Sequence, residues 1–179
     1  MSFGRKPKVL LNDEPSLYEY AIGALGRRMR TIAELKRLLR PKVEDSEYGR
    51  VLVETVIARL KEEKYLNDSQ YAATFSSLRK ENERFGRRRV ISDLKQRGVH
   101  DEVIEKAVGA TYEDTNEEQL ARDYLRRKRL KKPGNEKETA RIFRSMVRAG
   151  FGARTIFAIL KKWDVDDEVL TALETDAAE

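Results

Sequence analysis

The sequence has no cysteine and a single histidine, His100. No disulfide and no cysteine-based metal or redox site can therefore form, and a metal centre with several histidine ligands is excluded as well. No stretch approaches the ~18 consecutive apolar residues of a membrane span, and no apolar run of signal-peptide length follows Arg5, Lys6 and Lys8. We therefore expect a cytoplasmic protein with no membrane partner and no cofactor.

Charge is what the sequence has in abundance. Charged residues make up 38% of the chain, against roughly 25% in an average globular domain. Residues 164–179 contain seven acidic residues and no basic one, which leaves 37 basic against 24 acidic residues before them, a formal +13. Such a basic body favours a polyanionic or acidic partner, while a solvated basic surface is the alternative that charge alone leaves open.

Apolar residues recur at helical spacing along almost the whole chain, and strand patterns are nearly lacking. Three apolar stripes, each expected to face a core, show this spacing: Leu52, Val53, Val56, Ile57 and Leu60; Tyr71, Ala72, Phe75 and Leu78; and Leu120, Ala121, Tyr124 and Leu125. The sequence thus predicts an all-α protein with helices near 16–28, 31–40, 47–63, 68–83, 87–97, 101–109, 116–131, 136–149, 153–162 and 166–174.

Two helix ends carry strong local signals. Residues 67–69, Asn-Asp-Ser, offer side-chain acceptors to the free N–H groups of the helix that follows them. Gly98 comes after a helix with a basic last turn, and we expect it to be the left-handed residue that ends this helix. Val99 would then contact Leu94, as in a Schellman ending.

The same ending recurs 52 residues later at Gly150, and apolar positions between Val90 and Val108 match at this shift, which indicates an internal repeat. A weaker earlier copy has Pro41 where the glycine is expected. Because a unit of about 50 residues has a marginal core, we expect tandem three-helix repeats forming an elongated, curved array. The predicted divisions are a flexible N-terminal segment, 1–15; repeats 16–63, 64–110 and 111–162; and an acidic C-terminal segment, 163–179.

Three segments resemble the RecX family. Residues 64–72 are similar to its segment in which Leu-Asp-Asp precedes an aromatic residue and Ala, with Asn67 in place of the first Asp. Residues 85–99 resemble the helix that follows it in the family, and residues 31–39 resemble part of the family's first unit. The order of the three motifs is that of the family, and the resemblance covers residues 17–162.

The resemblance implies a non-enzymatic, cytoplasmic regulator of the RecA recombinase. Proteins of this family are expected to bind in the groove of the RecA–DNA filament and to inhibit its ATPase, coprotease and strand-exchange activities. The chain would thereby modulate homologous recombination, DNA repair and the SOS response. Its implied partners are the RecA filament and single- or double-stranded DNA without sequence specificity, and it is expected to be a monomer.

Three basic clusters are the candidate partner-binding and nucleic-acid-binding residues: Arg27, Arg28 and Arg30 between the first two helices; Arg87, Arg88 and Arg89 at the start of the helix that precedes Gly98; and Arg126, Arg127, Lys128, Arg129, Lys131 and Lys132 at the end of helix 116–131. Such residues contact phosphates without reading sequence. Three arginines at a helix N-terminus oppose the helix dipole, which indicates an anion or acidic partner nearby. For each cluster alone, a solvated face is the alternative.

An enzyme is not expected, because the sequence has no glycine-rich phosphate loop, no nucleophile elbow and no HExxH motif. His100 is expected in a loop, and no catalytic or metal-binding residue is predicted. The alternative function is an autonomous helix–turn–helix DNA-binding protein, although the helix after Gly98 carries Asp101, Glu102 and Glu105, which would repel DNA. A structural adaptor for another protein is a third possibility.

Overall fold

The computed structural model describes residues 10–178, apart from the side chains of residue 174 and residues 176–178. Residues 1–9, in the predicted flexible N-terminal segment, lie outside this range. The described chain contains one 3₁₀ turn, Arg40–Lys42, no strand, and ten α-helices: α1 (Glu14–Arg27), α2 (Ile32–Leu39), α3 (Glu47–Glu62), α4 (Asp68–Glu83), α5 (Arg87–Gln96), α6 (Asp101–Tyr112), α7 (Glu117–Arg127), α8 (Glu136–Arg148), α9 (Ala153–Lys161) and α10 (Asp167–Ala178). The all-α prediction is confirmed.

The chain divides into two compact units. Unit 1 contains the residues up to Tyr71 together with Gln96–His100, and unit 2 contains Ala72–Lys95 and the residues from Asp101 onward. In unit 1, α1, α2 and α3 pack against one another around Leu17, Leu35, Leu39, Val56 and Leu60. In unit 2, α9 packs against α7 and α8, and α10 packs against α8 and α9, around Leu120, Phe143, Met146, Phe151, Ile156 and Leu160. The boundaries of the three repeats stay a prediction.

Helix α4 begins at the segment that most resembles the family. The Asn67 side chain accepts a hydrogen bond from the N–H of Gln70 at 3.0 Å, as expected for a cap. The Asp68 carboxylate instead accepts the N–H of Ile32, in the first turn of α2, at 2.9 Å. Asp68 is buried, and desolvation raises its pKa although the Ile32 N–H and the charge of His100 lower it. Asp68 therefore caps α2, not the helix that it begins.

Helices α1 and α7 begin with the same pair of residue types as α4. Each begins with an Asp or Asn cap followed by an acid, Asp13-Glu14 and Asn116-Glu117. Glu14 forms an ion pair with Arg59 of α3 at 3.2 Å. Glu117 accepts hydrogen bonds from the Gly152 N–H at 3.2 Å and from the Thr155 hydroxyl, both at the start of α9. In α1 and α7, as in α4, the acid after the cap therefore joins the start of its helix to another helix of its unit.

In unit 1, residues after α5 pack against the start of α2. Gly98 has a φ of +78°, which confirms the predicted left-handed ending. A β-carbon at Gly98 would lie only 2.5 Å from the Ala33 β-carbon, so close approach also requires glycine here. The Thr31 hydroxyl donates a 2.7 Å hydrogen bond to the carbonyl oxygen of Arg97. The residues that follow α5 therefore meet the start of α2.

Unit 2 repeats this junction between α8 and α5. Gly150 has a φ of +90°, and a β-carbon there would collide with the backbone nitrogen of Arg89. The N–H of Gly86 donates to the carbonyl oxygen of Ala149 at 2.8 Å. A free carbonyl at one helix end thus meets a free N–H at the start of another, an arrangement that also aligns their dipoles favourably.

Helix α2 ends differently from α5 and α8. It runs into the 3₁₀ turn that contains Pro41. The backbone carbonyl oxygen of Lys42, at the end of this turn, accepts a hydrogen bond from the N–H of Leu11 at 2.7 Å. No glycine with a positive φ stands at this end, and the turn contacts the segment that precedes α1 instead.

The predicted apolar stripe on α4 is wrong in its second half. Tyr71 is buried, but Phe75 is only partly buried and Leu78 is 51% exposed. Ser76 is fully buried instead, and its hydroxyl has no hydrogen-bond partner among the described residues. The buried face of α4 therefore runs through a polar residue, which a count of apolar residues cannot detect.

Helix α10 occupies the acidic C-terminal segment. Leu170 is 1% exposed in the core of unit 2, and Trp163, Val165 and Leu173 pack against the same core. The helix follows Asp166 and begins with Asp167, so its start has the same cap-and-acid sequence as α1, α4 and α7. These apolar residues therefore pack the acidic segment onto the core of unit 2.

Candidate nucleic-acid and protein interface

The first basic cluster lies on the turn between α1 and α2, in unit 1. Arg27 and Arg28 are exposed, and Arg30 is partly buried with its Nε 3.4 Å from the carbonyl oxygen of Ala24. Thr31 then begins α2 with a capping box that includes Glu34. Among the described side chains, no carboxylate lies within 4.0 Å of the three arginines. Their charges are therefore available to a partner.

The second cluster occupies the first turn of α5, as predicted. Arg87, Arg88 and Arg89 are all exposed. The protein itself supplies part of the negative charge expected beside this helix start. The carbonyl oxygen of Ala149, at the end of α8, accepts a hydrogen bond from the N–H of Gly86, just before α5. Arg89 also forms an ion pair with Asp93 at 3.0 Å. An external anion is thus not required to explain the arginines.

The third cluster lies mostly beyond its helix, which corrects the predicted end at residue 131. Helix α7 ends at Arg127 because Arg129 adopts the left-handed conformation, with a φ of +55°. The Leu130 N–H then donates to the carbonyl oxygen of Leu125 at 2.9 Å, and Leu130 packs against the core. The turn directs the apolar side chain inward, and Lys131 and Lys132 after it are exposed.

Four cations in the second and third clusters have partners within unit 2. Besides the Arg89–Asp93 pair, Arg126 pairs with Asp123, Arg127 pairs with Glu83 at 3.2 Å, and Lys132 pairs with Asp164 at 2.6 Å. The hydrogen bond from Lys132 lowers the pKa of Asp164 below its ordinary value. Among the described side chains, Arg87, Arg88, Lys128, Arg129 and Lys131 have no carboxylate within 4.0 Å.

A column of aromatic side chains joins the second and third clusters. The Arg89 guanidinium lies 5.7 Å from the centre of the Phe85 ring, and the Lys128 ammonium lies 6.0 Å from that of Tyr124. The two rings are 6.5 Å apart, and Tyr124 continues to Phe151 at 5.7 Å. Both clusters therefore flank the same aromatic pair, and with Arg84 we call them the unit-2 basic surface.

The three basic clusters predicted from the sequence do not include Arg84. This residue follows α4 with a φ of +57° and has no carboxylate within 4.0 Å among the described side chains. It stands between Glu83 and Phe85 in the sequence, outside any basic run, so clustering could not identify it. The end of α7 has the same arrangement: Arg129 has a positive φ, and Leu130 after it packs against the core.

The described residues contain no group of three or more His, Asp or Glu side chains that could hold a metal ion. His100 is exposed between α5 and α6. None of the described helices is both long enough and apolar enough to cross a membrane. The unit-2 basic surface and the exposed arginines of unit 1 are thus the candidate functional features.

Comparison with known proteins identifies the same family as the sequence motifs. The family model described as RecX, second three-helix domain, matches residues 67–108. The regulatory protein RecX of Deinococcus radiodurans is 33% identical over 177 residues, which cover 98% of this chain and 78% of that protein. The regulatory protein RecX of Amycolatopsis mediterranei is 31% identical over 147 residues, covering 80% and 81%.

Solved structures agree on the fold. The crystal structure of RecX from Lactobacillus salivarius matches with a TM-score of 0.65 at 20% identity, covering 86% of this chain and 97% of that one. The fold and the basic surfaces define an all-α protein of tandem helical repeats with exposed arginine clusters. The chain belongs to the RecX family of regulatory proteins.

Proposed function

We propose that this protein is a non-enzymatic regulator of the RecA recombinase, which binds in the groove of the RecA–DNA filament. Family membership carries this proposal, above all the 33% identity with the regulatory protein RecX of Deinococcus radiodurans over 98% of the chain. In this role the protein inhibits the ATPase, coprotease and strand-exchange activities of the filament. It thereby modulates recombination, DNA repair and the SOS response from the cytoplasm.

The unpaired arginines support a partner with acidic groups. Arg27 and Arg28 in unit 1, and Arg87, Arg88 and Arg129 in unit 2, are exposed and have no carboxylate within 4.0 Å among the described side chains. Exposed, unpaired guanidinium groups lose little on meeting phosphates or carboxylates, because no internal ion pair must first be broken. The contacts to DNA are backbone contacts and carry no sequence preference.

Multivalency explains how weak contacts give firm binding. Each repeat contributes a few charged contacts, and contacts made after the first one form at a high effective concentration. A chain that spans neighbouring recombinase subunits in this way restricts the subunit motions that ATP turnover requires. One monomer per several subunits is then sufficient for inhibition.

The alternative, an autonomous helix–turn–helix protein, is disfavoured by the surface of α6. Asp101, Glu102 and Glu105 are all exposed on the helix that follows Gly98, where a recognition helix would lie in the major groove. Carboxylates there repel phosphates. Binding to naked duplex DNA that is tight and sequence-specific would favour this alternative over recombinase regulation.

Charge reversal tests the contribution of the third cluster. The variant with Arg126→Glu, Arg127→Glu and Arg129→Glu is expected to bind RecA filaments on single-stranded DNA more weakly, with a flatter dependence of affinity on salt. The matched control carries Lys106→Glu, Lys137→Glu and Arg141→Glu, three exposed residues of α6 and α8 that give the same net charge. Equal affinity and equal salt dependence of both variants would remove this cluster from the interface.

A further inference from the structure

The turn between α1 and α2 exposes an apolar side chain within a basic run. Met29 is 51% exposed and stands between Arg28 and Arg30 in the sequence. The backbone at Arg28 is extended, so α1 has ended before Met29. A polar residue would be solvated at this position without cost, so the fold does not require methionine here.

The third basic cluster places its apolar residue in the opposite way. Leu130 stands between Arg129 and Lys131, but the chain turns at the left-handed Arg129 and Leu130 packs against the core of unit 2. The residues that this cluster exposes are then cations alone, which suits contacts to phosphates. The first cluster keeps Met29 at the surface instead. A partner of the first cluster therefore meets cationic and apolar groups together.

Two further apolar side chains near the end of α1 stay partly accessible. Ile22 and Leu25 are three residues apart and so share a helix face, and both pack against the core of unit 1 while remaining partly exposed. Gly26 in the last turn is exposed, and a β-carbon there would meet no atom within 4 Å. The end of α1 thus presents accessible apolar area just before the turn that carries Met29.

The cations of this turn are not neutralised within unit 1. Arg27 and Arg28 are exposed and have no carboxylate within 4.0 Å among the described side chains. Glu34, the first acidic residue after the turn, is already held by the Arg97 guanidinium at 2.7 Å and accepts the N–H of Thr31 at 3.3 Å. The carboxylates of a partner can therefore pair with both exposed arginines without breaking an internal ion pair.

The chemistry of this turn favours a protein partner over nucleic acid. The phosphodiester backbone offers no apolar surface against which Met29 could be buried. Residues 21–34 contain no aromatic side chain, which is the usual platform for stacked bases. The cluster contains arginine and methionine but no lysine, and protein–protein interfaces are enriched in methionine and arginine and depleted in lysine.

We propose that the turn between α1 and α2 binds an acidic protein surface, with Met29 in an apolar pocket and with Arg27 and Arg28 on carboxylates at its rim. The proposal rests on the function proposed above, which makes RecA that protein, and it assigns the first basic cluster to protein and not to DNA. Charge complementarity supports this partner, because residues 22–33 carry three cations and no acid. An apolar centre with a charged rim is also the usual build of a protein–protein interface.

Substitution of Met29 tests the proposal, because an exposed side chain outside the helices can be changed with little effect on the fold. Met29→Gln keeps the length of the side chain and removes its apolar surface. This variant is expected to bind RecA filaments on single-stranded DNA about fivefold or more weakly, because it lacks the apolar anchor. Met29→Leu restores an apolar side chain and should bind within about twofold of the wild type.

Leu78→Gln is the matched control, because Leu78 on α4 is also 51% exposed. The two cations that follow Leu78 are engaged within unit 2. Arg79 lies over the Phe75 ring at 4.9 Å, and Lys80 donates a 2.8 Å hydrogen bond to the carbonyl oxygen of Thr111. Glutamine at position 78 should therefore leave filament affinity unchanged. All three variants should bind a bare fluorescein-labelled single-stranded oligonucleotide as the wild type does, with the same salt dependence.

The outcomes keep this surface and the proposed function apart. Equal filament affinity of Met29→Gln and the wild type would overturn the surface even if the wild type slows ATP hydrolysis by RecA. A loss of oligonucleotide affinity in Met29→Gln would also overturn it, by assigning the turn to nucleic acid. Filament binding that depends on Met29 but leaves ATP hydrolysis unchanged would support the surface and contradict the proposed function. A wild type that binds no RecA filament would overturn both.

Discussion

The N–H of Gly86 donates a 2.8 Å hydrogen bond to the carbonyl oxygen of Ala149, and so joins the start of α5 to the end of α8. The adjoining Gly150 is left-handed, and its α-carbon approaches Arg89 so closely that a β-carbon would collide with backbone. A matching junction in unit 1 joins Thr31 to Arg97 beside Gly98. Each unit thus contains a junction in which backbone at the end of one helix meets the start of another.

Gly150→Ala is expected to destabilise the protein by more than about 3 kcal/mol, because strain at a positive φ adds to a backbone collision that cannot relax. Gly23→Ala is the control. Gly23 lies inside α1 with no neighbouring atom within 4 Å of the new β-carbon, and alanine there should stabilise by up to about 1 kcal/mol. Urea unfolding measures both. Equal and small effects at the two positions would contradict the described junction.

These junctions show how far the sequence alone could lead. Gly98 and Gly150 were identifiable as helix ends because the signal is local: a basic last turn, a glycine and an apolar residue after it. The helix starts on which they pack could not be identified, because Ala33 and Arg89 are distant in sequence and neither residue type marks a contact. The same holds for Asp68, whose partner Ile32 is 36 residues away.

The candidate site shows the same division between local and distant information. All three basic clusters are visible in the sequence as runs of Arg and Lys, and the structure shows that Arg87, Arg88 and Arg129 are exposed. Pairing was not visible, because the partners Glu83 and Asp164 lie 44 and 32 residues from Arg127 and Lys132. Only the folded chain separates cations that are already paired from those that are available.

Asp68→Ala is expected to cost about 1–3 kcal/mol, because it leaves the N–H of Ile32 without its acceptor. Asp68→Asn should be far milder, since the amide oxygen can accept the same hydrogen bond. Urea unfolding of both variants at neutral pH tests this. Equal destabilisation by alanine and asparagine would show that the charge of Asp68, and not its acceptor, matters.

The stabilities of the wild type and of the Asp68→Asn variant should also depend on pH differently. Burial raises the pKa of Asp68 above its ordinary value, so its contribution to stability is complete below the unfolded pKa and is lost as pH rises through the folded pKa. The stability of the wild type relative to Asp68→Asn should therefore decline as pH rises from the acidic range towards neutrality. A difference that grows in the wild type's favour over this range would contradict the raised pKa.

Ser76→Ala is expected to stabilise the protein by about 1 kcal/mol, because the buried hydroxyl has no partner among the described residues. Ser77→Ala, at the neighbouring and less buried position of α4, is the control and should change stability by less than about 0.5 kcal/mol. Thermal unfolding of both variants is sufficient. Destabilisation by Ser76→Ala would mean that the hydroxyl is satisfied in solution.

Leu170→Ala is expected to cost about 2–5 kcal/mol, because this side chain of α10 is buried in the unit-2 core. Leu78→Ala, at an exposed position of α4, is the control and should cost much less. Truncation after Lys162 should destabilise at least as much as Leu170→Ala, because it removes Trp163 and Val165 as well. A truncated protein with full stability would show that α10 is not part of the core.

Asp164→Asn is expected to strengthen binding to DNA and to steepen the salt slope by about one, because it releases Lys132 from its 2.6 Å ion pair. Asparagine also tolerates the left-handed conformation of residue 164, so the fold should be retained. Asp166→Asn is the control, since it makes the same charge change at an exposed residue without an ion pair to a described side chain. If both variants change DNA affinity equally, the release of Lys132 is not the cause.

The most direct measurement is the rate of ATP hydrolysis by RecA on single-stranded DNA while this protein is added at substoichiometric ratios. Filament-groove binding by a regulator predicts a fall in the steady-state rate when there is much less than one chain per RecA subunit, because one bound chain restrains several subunits. The triple charge-reversal variant at Arg126, Arg127 and Arg129 should require more protein for the same fall. An unchanged rate at every ratio up to equimolar would contradict the central proposal.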